Sequence, residues 1–298
     1  MNEYIFKVAD CYFAVRIPAT WSVARLLPSF RPFLASEVSE AERLFTLEVS
    51  DQLEIPEQQG EKVVEDSTND LGHVQVMEMP EGFFITVSYD AARKKLHALW
   101  VNRSFSQGRA KLLYEDATAG VALTSMLRMM FAQTILPQGG ISVHASCVCK
   151  QGTGYLFLGK SGTGKSTHSE QWMKAFDDCS LLNDDNPIVR IFDEKVWVYG
   201  SPWSGKKSCY RQENYPVGGI VRLNQAPANI FQTLTETNAF LALLPSCSVL
   251  RSDSQLQQVL YGSLIRLTET VPIGTLACLP NEEAARLCYQ QLKESVLK

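Results

Sequence analysis

Residues 155–172 read YLFLGKSGTGKSTHSEQW. An apolar run meets a glycine, then small and polar residues, a lysine and two hydroxyls. Gly159, Lys160, Ser161, Gly162, Thr163, Gly164, Lys165 and Ser166 fit the spacing G-x-x-x-x-G-K-[ST]. A random chain of this length would match about one time in a hundred at average residue usage. The surroundings sharpen the match, because a strand pattern precedes the loop and a helix pattern follows it. Consecutive backbone N–H groups can wrap a polyphosphate only where side chains stay out of the way. The helix opening near Lys165 adds its N-terminal dipole. Lys165 is expected to pair with the β- and γ-phosphates of a nucleoside triphosphate, and Ser166 to offer its hydroxyl to Mg²⁺.

Asp184 and Asp185 end the next apolar run, SLLNDD. In a strand–loop–helix–strand order that end falls beside the phosphate loop, where ligands sit in parallel α/β sheets. One carboxylate suits Mg²⁺ and the other a proton from an attacking hydroxyl; adjacency alone does not say which. His144 shares a strand face with Ser142 and Ser146, in a strand leading by a tight hairpin into the loop strand. Residues 200–207, GSPWSGKK, form a second Gly/Lys loop. Its Ser204, Gly205 and Lys206 are candidates for a phosphate or substrate contact, with a surface turn as the plain alternative.

Outward from these motifs the chain changes character. Phe45, Leu47 and Val49 alternate with polar residues, as do Phe83, Ile85, Val87 and Tyr89, so residues 1–112 read as a β-rich, antiparallel region of unknown role. Residues 113–298 read as the catalytic part. It opens with a helix whose face is Leu123, Met126, Leu127 and Met130, with Asp116 as its cap. Strand and helix patterns then alternate to the end, which defines an α/β class.

Composition bounds the function. The 298 residues are 45% hydrophobic and 20% charged, with net charge −4. No strong positive field recruits nucleic acid or an anionic membrane surface. Residues 1–10 lack a basic segment followed by an apolar core, so no secretory leader is expected. Residues 121–136 are too short and too polar to span a bilayer. Eight scattered cysteines show no zinc spacing and fit reduced thiols in a cytoplasmic protein.

Taken together, SVHASCV, GKSGTGKS, LLNDD and GSPWSGK resemble, in order and rough spacing, the catalytic domain of HPr kinase/phosphorylase and its small relatives. The specific motifs cover residues 137–225. SGTGKST also resembles the loop of ATP-dependent phosphoenolpyruvate carboxykinase, whose nucleotide core is related. The resemblance implies an α/β fold with a P-loop kinase core, ATP and Mg²⁺ as cofactors, and a hydroxyl acceptor on a protein, peptide or small molecule. It implies that residues 159–166 bind ATP, that Asp184 deprotonates the acceptor, that Asp185 joins Ser166 on the metal, and that His144 lies beside the nucleotide. Arg211 is the candidate for the family's later arginine. The long Gly-rich signature of the bifunctional enzyme is missing, and residues 1–112 do not match its regulatory domain, so HPr is not the implied acceptor. A homo-oligomer is compatible with the resemblance. A carboxykinase would need a larger substrate domain and more metal ligands than this chain with four histidines offers. A nucleotide-binding regulator without transfer activity is the alternative of another class; the paired aspartates speak against it, since a binder needs no base.

Overall fold

The computed structural model describes residues 1–52, 62–69, 72–90, 92, 94–192, 194–205 and 207–296. The chain divides into two units, Met1–Ile135 and Leu136–Lys298.

In the first unit the alternating runs form strands β1 (Asn2–Val8), β2 (Cys11–Ile17), β3 (Arg43–Ser50), β4 (Lys62–Asn69), β5 (Gly72–Met79), β6 (Gly82–Ser88), β7 (His97–Asn102) and β8 (Gln107–Lys111). They make one eight-stranded sheet in the order β1-β2-β3-β8-β7-β6-β5-β4. The sheet is mixed rather than antiparallel throughout, because β3 runs parallel to both β2 and β8. The chain between β2 and β3 crosses over through the short helix α1 (Val23–Leu26) and turns of 3₁₀ helix, a connection no sequence alternation reveals.

The predicted methionine-faced helix is α2 (Ala119–Thr134), and it belongs to this first unit, not to the second, where the sequence reading placed it. The reason is aromatic packing. Phe131 meets Phe13 at 5.9 Å between ring centroids, and Phe13 stacks on Phe45 at 4.7 Å. Gly108 on β8 makes room for Met130, whose methyl would lie 2.9 Å from an added Cβ. The boundary therefore falls after residue 135 instead of after 112. Asp116 accepts from the N–H and hydroxyl of Thr118, the N-cap residue.

The second unit is α/β. Its strands are β9 (Gly140–Ser142), β10 (Ala145–Lys150), β11 (Thr153–Leu158), β12 (Cys179–Asn183), β13 (Ile188–Phe192), β14 (Lys195–Tyr199), β15 (Asn214–Gln225), β16 (Ile230–Leu234) and β17 (Ile273–Cys278). Its helices are α3 (Lys165–Ala175), α4 (Glu236–Leu243), α5 (Ser254–Thr270) and α6 (Glu282–Val296). The long strand β15 organises the sheet. Its first residues pair antiparallel with β14, while its remainder lies between β11 and β17, parallel to both. Helices cover both faces. Ile220 packs in a core with Leu243 of α4 and Leu260, Leu264 and Leu267 of α5. Val221 and Leu223 pack in a second core with Trp172 of α3 and Ala284, Cys288 and Leu292 of α6. Burial on both faces explains why residues 155–158 of β11 are apolar without alternation.

The hairpin joining β10 to β11 turns on Gln151 and Gly152, both with positive φ, as a two-residue hairpin requires. Strand β10 separates β12, which ends just before Asp184, from β11, which leads into the glycine loop, so the two are not neighbours. Since β10 is antiparallel to both, β11 and β12 run the same way and their carboxyl ends share one edge. No described helix is long and apolar enough to cross a membrane. None of the eight cysteines, all among the described residues, is in a disulfide.

Candidate functional site

The loop that leaves β11 enters α3 through Gly164, the N-cap, at φ +104°. Gly162 sits at φ +80°. A Cβ at either position would touch nothing within 4 Å, so these glycines answer to backbone conformation and not to crowding. Thr163 closes the turn, donating its N–H and hydroxyl to the Lys160 carbonyl at 3.1 and 2.7 Å. Gln225, at the end of β15, donates to the carbonyls of Gly162 and Thr163. Lys160 and Ser161 are exposed, and the residues from Thr163 to Ser166 are half-buried.

Lys165 Nζ donates to the Gly159 carbonyl at 3.1 Å and lies 2.9 Å from His144 Nε2. On its other side His144 Nδ1 is 3.3 Å from Asp185 Oδ1. An ammonium can only donate, so Nε2 accepts and the ring proton sits on Nδ1, facing the carboxylate. Lysine, histidine and aspartate thus form a connected row across the loop. Asp185 is partly open, its side chain 17% exposed.

Asp184 is buried. Its Oδ1 accepts from Ser146 Oγ at 2.8 Å, and Ser146 Oγ lies 2.6 Å from Ser169 Oγ on α3. Its Oδ2 is sealed from solvent with no hydrogen-bond partner among the described residues. Gly205 lies directly against this turn, since a Cβ there would come within 2.9 Å of the Asp184 carbonyl oxygen. The second Gly/Lys loop is not a free surface turn. Trp203 is buried, and Lys207 reaches Glu170 of α3 at 2.6 Å. Ser204 Oγ donates to the Lys207 carbonyl within the loop. Lys206 lies outside the described residues.

The aspartate turn is shaped by Asn183, which is fully buried. Its Oδ1 accepts from the N–H groups of Asp185 and Asn186, while its Nδ2 donates to the carbonyls of Ser201 and Trp203. One amide therefore ties the two candidate loops together. Asn183→Leu keeps the branched four-heavy-atom shape, though not the volume, and strips these bonds. It is expected to lower stability by about 2–4 kcal/mol, since several buried backbone groups lose their partner. Urea titration monitored by tryptophan fluorescence checks this.

The structure brings His144, Lys165, Asp184, Asp185 and Gly205 to one edge of the sheet. Ser166 stands beside Lys165 on the first turn of α3, and its hydroxyl makes no hydrogen bond among the described residues. Arg211 is committed elsewhere, to Ser180, Leu181 and Glu213. Sequence reading missed the roles of Asn183, Ser146, Ser169 and Gln225. Asn183 alone carries a local signal, as an Asx residue opening a turn before Asn186-Pro187.

His168, one helical turn past Lys165, is buried and accepts from Trp172 Nε1 at 3.0 Å. Burial pushes its imidazole down to about 4. The unfolded chain, near the ordinary 6.5, takes up the proton first, so stability is full above about pH 7. It is expected to fall by about 3 kcal/mol as pH drops from 6.5 through 4. Thermal melts across that range check it: His168→Gln should flatten the dependence.

No protein-family model matches the chain, and no curated protein matches it. Among solved structures, the HPr(Ser) kinase/phosphatase from Coxiella burnetii is similar over 52% of this chain and 90% of its own, at 13% identity and a TM-score of 0.31.

Proposed function

We propose that the chain is a Mg²⁺- and ATP-dependent kinase that transfers the γ-phosphoryl group to a hydroxyl of a protein, peptide or small molecule. The observation that carries this reading is the sealed, partnerless Oδ2 of Asp184 at the sheet edge that also bears the phosphate loop. A buried carboxylate oxygen without a donor is costly unless a cation meets it. Among the described residues no group of three or more His, Cys, Asp or Glu could hold a metal by itself. That fits Mg²⁺, which takes one or two carboxylates and completes its shell with substrate phosphates and water. Asp184 and the Ser166 hydroxyl would hold it, and when bound it neutralises charge on the β- and γ-phosphates.

On grounds of burial we read the two carboxylates the other way round from the resemblance, which implies Asp184 as the base and Asp185 as the metal ligand. A base must be reachable by the acceptor, and Asp185 is the open member of the pair. Asp185 takes the acceptor proton, and the Nδ1–H of His144, 3.3 Å from Asp185 Oδ1, orients its carboxylate. Lys165 leaves the Gly159 carbonyl and His144 to meet the phosphates. Gly205, bare of a side chain, lets its loop pack closely over the aspartate turn.

The test is calorimetric titration with Mg·ATP, followed by ADP release against serine peptides and small hydroxyl compounds, with mass detection of the product. Micromolar to millimolar binding with acceptor-dependent release is expected. Absence of binding overturns the nucleotide reading. Tight binding with neither hydrolysis nor transfer replaces the kinase with a nucleotide-binding regulator.

A further inference from the structure

Asp184 ends a directed row of buried hydroxyls. Its Oδ1 accepts from Ser146 Oγ at 2.8 Å, and Ser146 Oγ lies 2.6 Å from Ser169 Oγ. Both serines are wholly buried. A hydroxyl carries one proton and a carboxylate oxygen only accepts, so the proton of Ser146 points at Asp184. Ser146 Oγ can then only accept from Ser169, and both protons point the same way, toward the carboxylate. The row joins three elements. Ser169 is on α3, Ser146 on β10, and Asp184 just past the end of β12. Ser169 also follows Ser166 by three residues, which puts the two on one face of α3.

This row makes the two oxygens of Asp184 unequal. Oδ1 is occupied by the Ser146 proton, while Oδ2 has no hydrogen-bond partner among the described residues. The inequality matters for the choice of cation. Mg²⁺ is small, holds to near-octahedral geometry at about 2.0–2.1 Å and is served by single carboxylate oxygens. Ca²⁺ gathers about six to eight oxygens at about 2.3–2.6 Å and readily takes both oxygens of one carboxylate. A carboxylate with one oxygen held by a buried hydroxyl has only the other to give. Burial of both serines keeps water from competing for either proton, so the hold is permanent rather than occasional.

We infer that Ser146 and Ser169 are positioning residues that confine Asp184 to one free oxygen and thereby make the site discriminate against Ca²⁺ in favour of Mg²⁺; the inference rests on the reading above of Asp184 as the metal ligand. Neither serine meets the ion. Ser146 acts through Asp184, and Ser169 acts through Ser146 by fixing where its proton points. Partners that orient a metal ligand from outside the ligand shell commonly change metal affinity by about 10- to 100-fold when removed. Ser169 stands one link further from the carboxylate, so its effect is the smaller of the two.

The test is the affinity for ATP in saturating Mg²⁺ and in saturating Ca²⁺, measured by calorimetry on wild type, Ser146→Ala and Ser169→Ala, with a thermal melt of each protein. Ser169→Ala places a good helix former in α3 and decides the matter should Ser146→Ala fail to fold. Wild type is expected to bind ATP more tightly with Mg²⁺ than with Ca²⁺. Ser146→Ala frees Oδ1, so that preference should shrink by about 10-fold, and Ser169→Ala should shift it the same way by less. A merely loosened fold would weaken both complexes alike and leave their ratio unmoved, so the ratio is the readout. An unchanged ratio in Ser146→Ala, or in Ser169→Ala where that variant stands in, overturns the inference. So does a wild type without preference for Mg²⁺, and in either case the phosphate loop is left intact. Equal ATP affinity of wild type with and without a divalent ion overturns Asp184 as the metal ligand, and the inference with it. Failure of wild type to bind ATP under any of these conditions overturns the phosphate-loop reading itself.

Discussion

Asp185→Asn is expected to slow phosphoryl transfer by about 10² to 10⁴ while Mg·ATP affinity stays within a few-fold of wild type. A hydroxyl is a poor nucleophile at neutral pH, and an amide of the same shape cannot take its proton. Asp185 is the candidate because it is open and faces His144 Nδ1 at 3.3 Å, whereas Asp184 is buried against Ser146. The partner variant gives the contrast. Asp184→Asn places an N–H or a neutral oxygen where Oδ2 is sealed, so it should weaken the Mg²⁺-dependent part of ATP binding as well as turnover. Until an acceptor is known, slow ATP hydrolysis serves as the readout. If the pattern is exchanged, with Asp184→Asn losing transfer alone, the roles revert to those the family resemblance implies. If neither substitution alters turnover or Mg²⁺ dependence, the pair is a structural turn and the kinase reading falls.

The second large effect is on binding. Lys165→Ala removes the cation at the mouth of the loop. Hydrogen bonds to charged groups contribute about 1.5–3 kcal/mol each, so ATP affinity should drop about 10- to 150-fold. In the ligand-free protein the amine meets the Gly159 carbonyl and His144 and is half-buried, so the fold should survive its loss. Calorimetric titration alongside a thermal melt separates the two effects. Wild-type affinity in the variant would remove the lysine from the phosphate site. An equal loss of melting temperature and affinity would make it a structural tie between loop and histidine.

Local chemistry in the sequence determined a good part of this. The glycines of residues 159–166 appear as a loop between strand and helix because positive φ at Gly162 and Gly164 is a local demand that composition reveals. The apolar run of residues 155–158 becomes an interior strand, and the polar alternation of the first hundred residues becomes a sheet, because burial on two faces or on one leaves its own period. The Asp253 and Asn281 caps of α5 and α6 are equally local: each side chain accepts from an N–H two or three residues on.

Tertiary structure alone decided the rest. The helix over residues 119–134 fits either unit by its pattern, and Phe13, sequence-distant, draws it to the first. The parallel placement of β3 and the insertion of β10 between the loop strand and the aspartate strand depend on pairing partners far along the chain. The site depends on the same kind of distance. His144 meets Lys165 across 21 residues, Asp184 meets Ser146 across 38, and Asn183 joins Trp203 across 20. Which aspartate is sealed and which is open follows from what packs over the turn. That is a property of Gly205, Ser146 and Ser169 in space, and two adjacent identical letters cannot carry it.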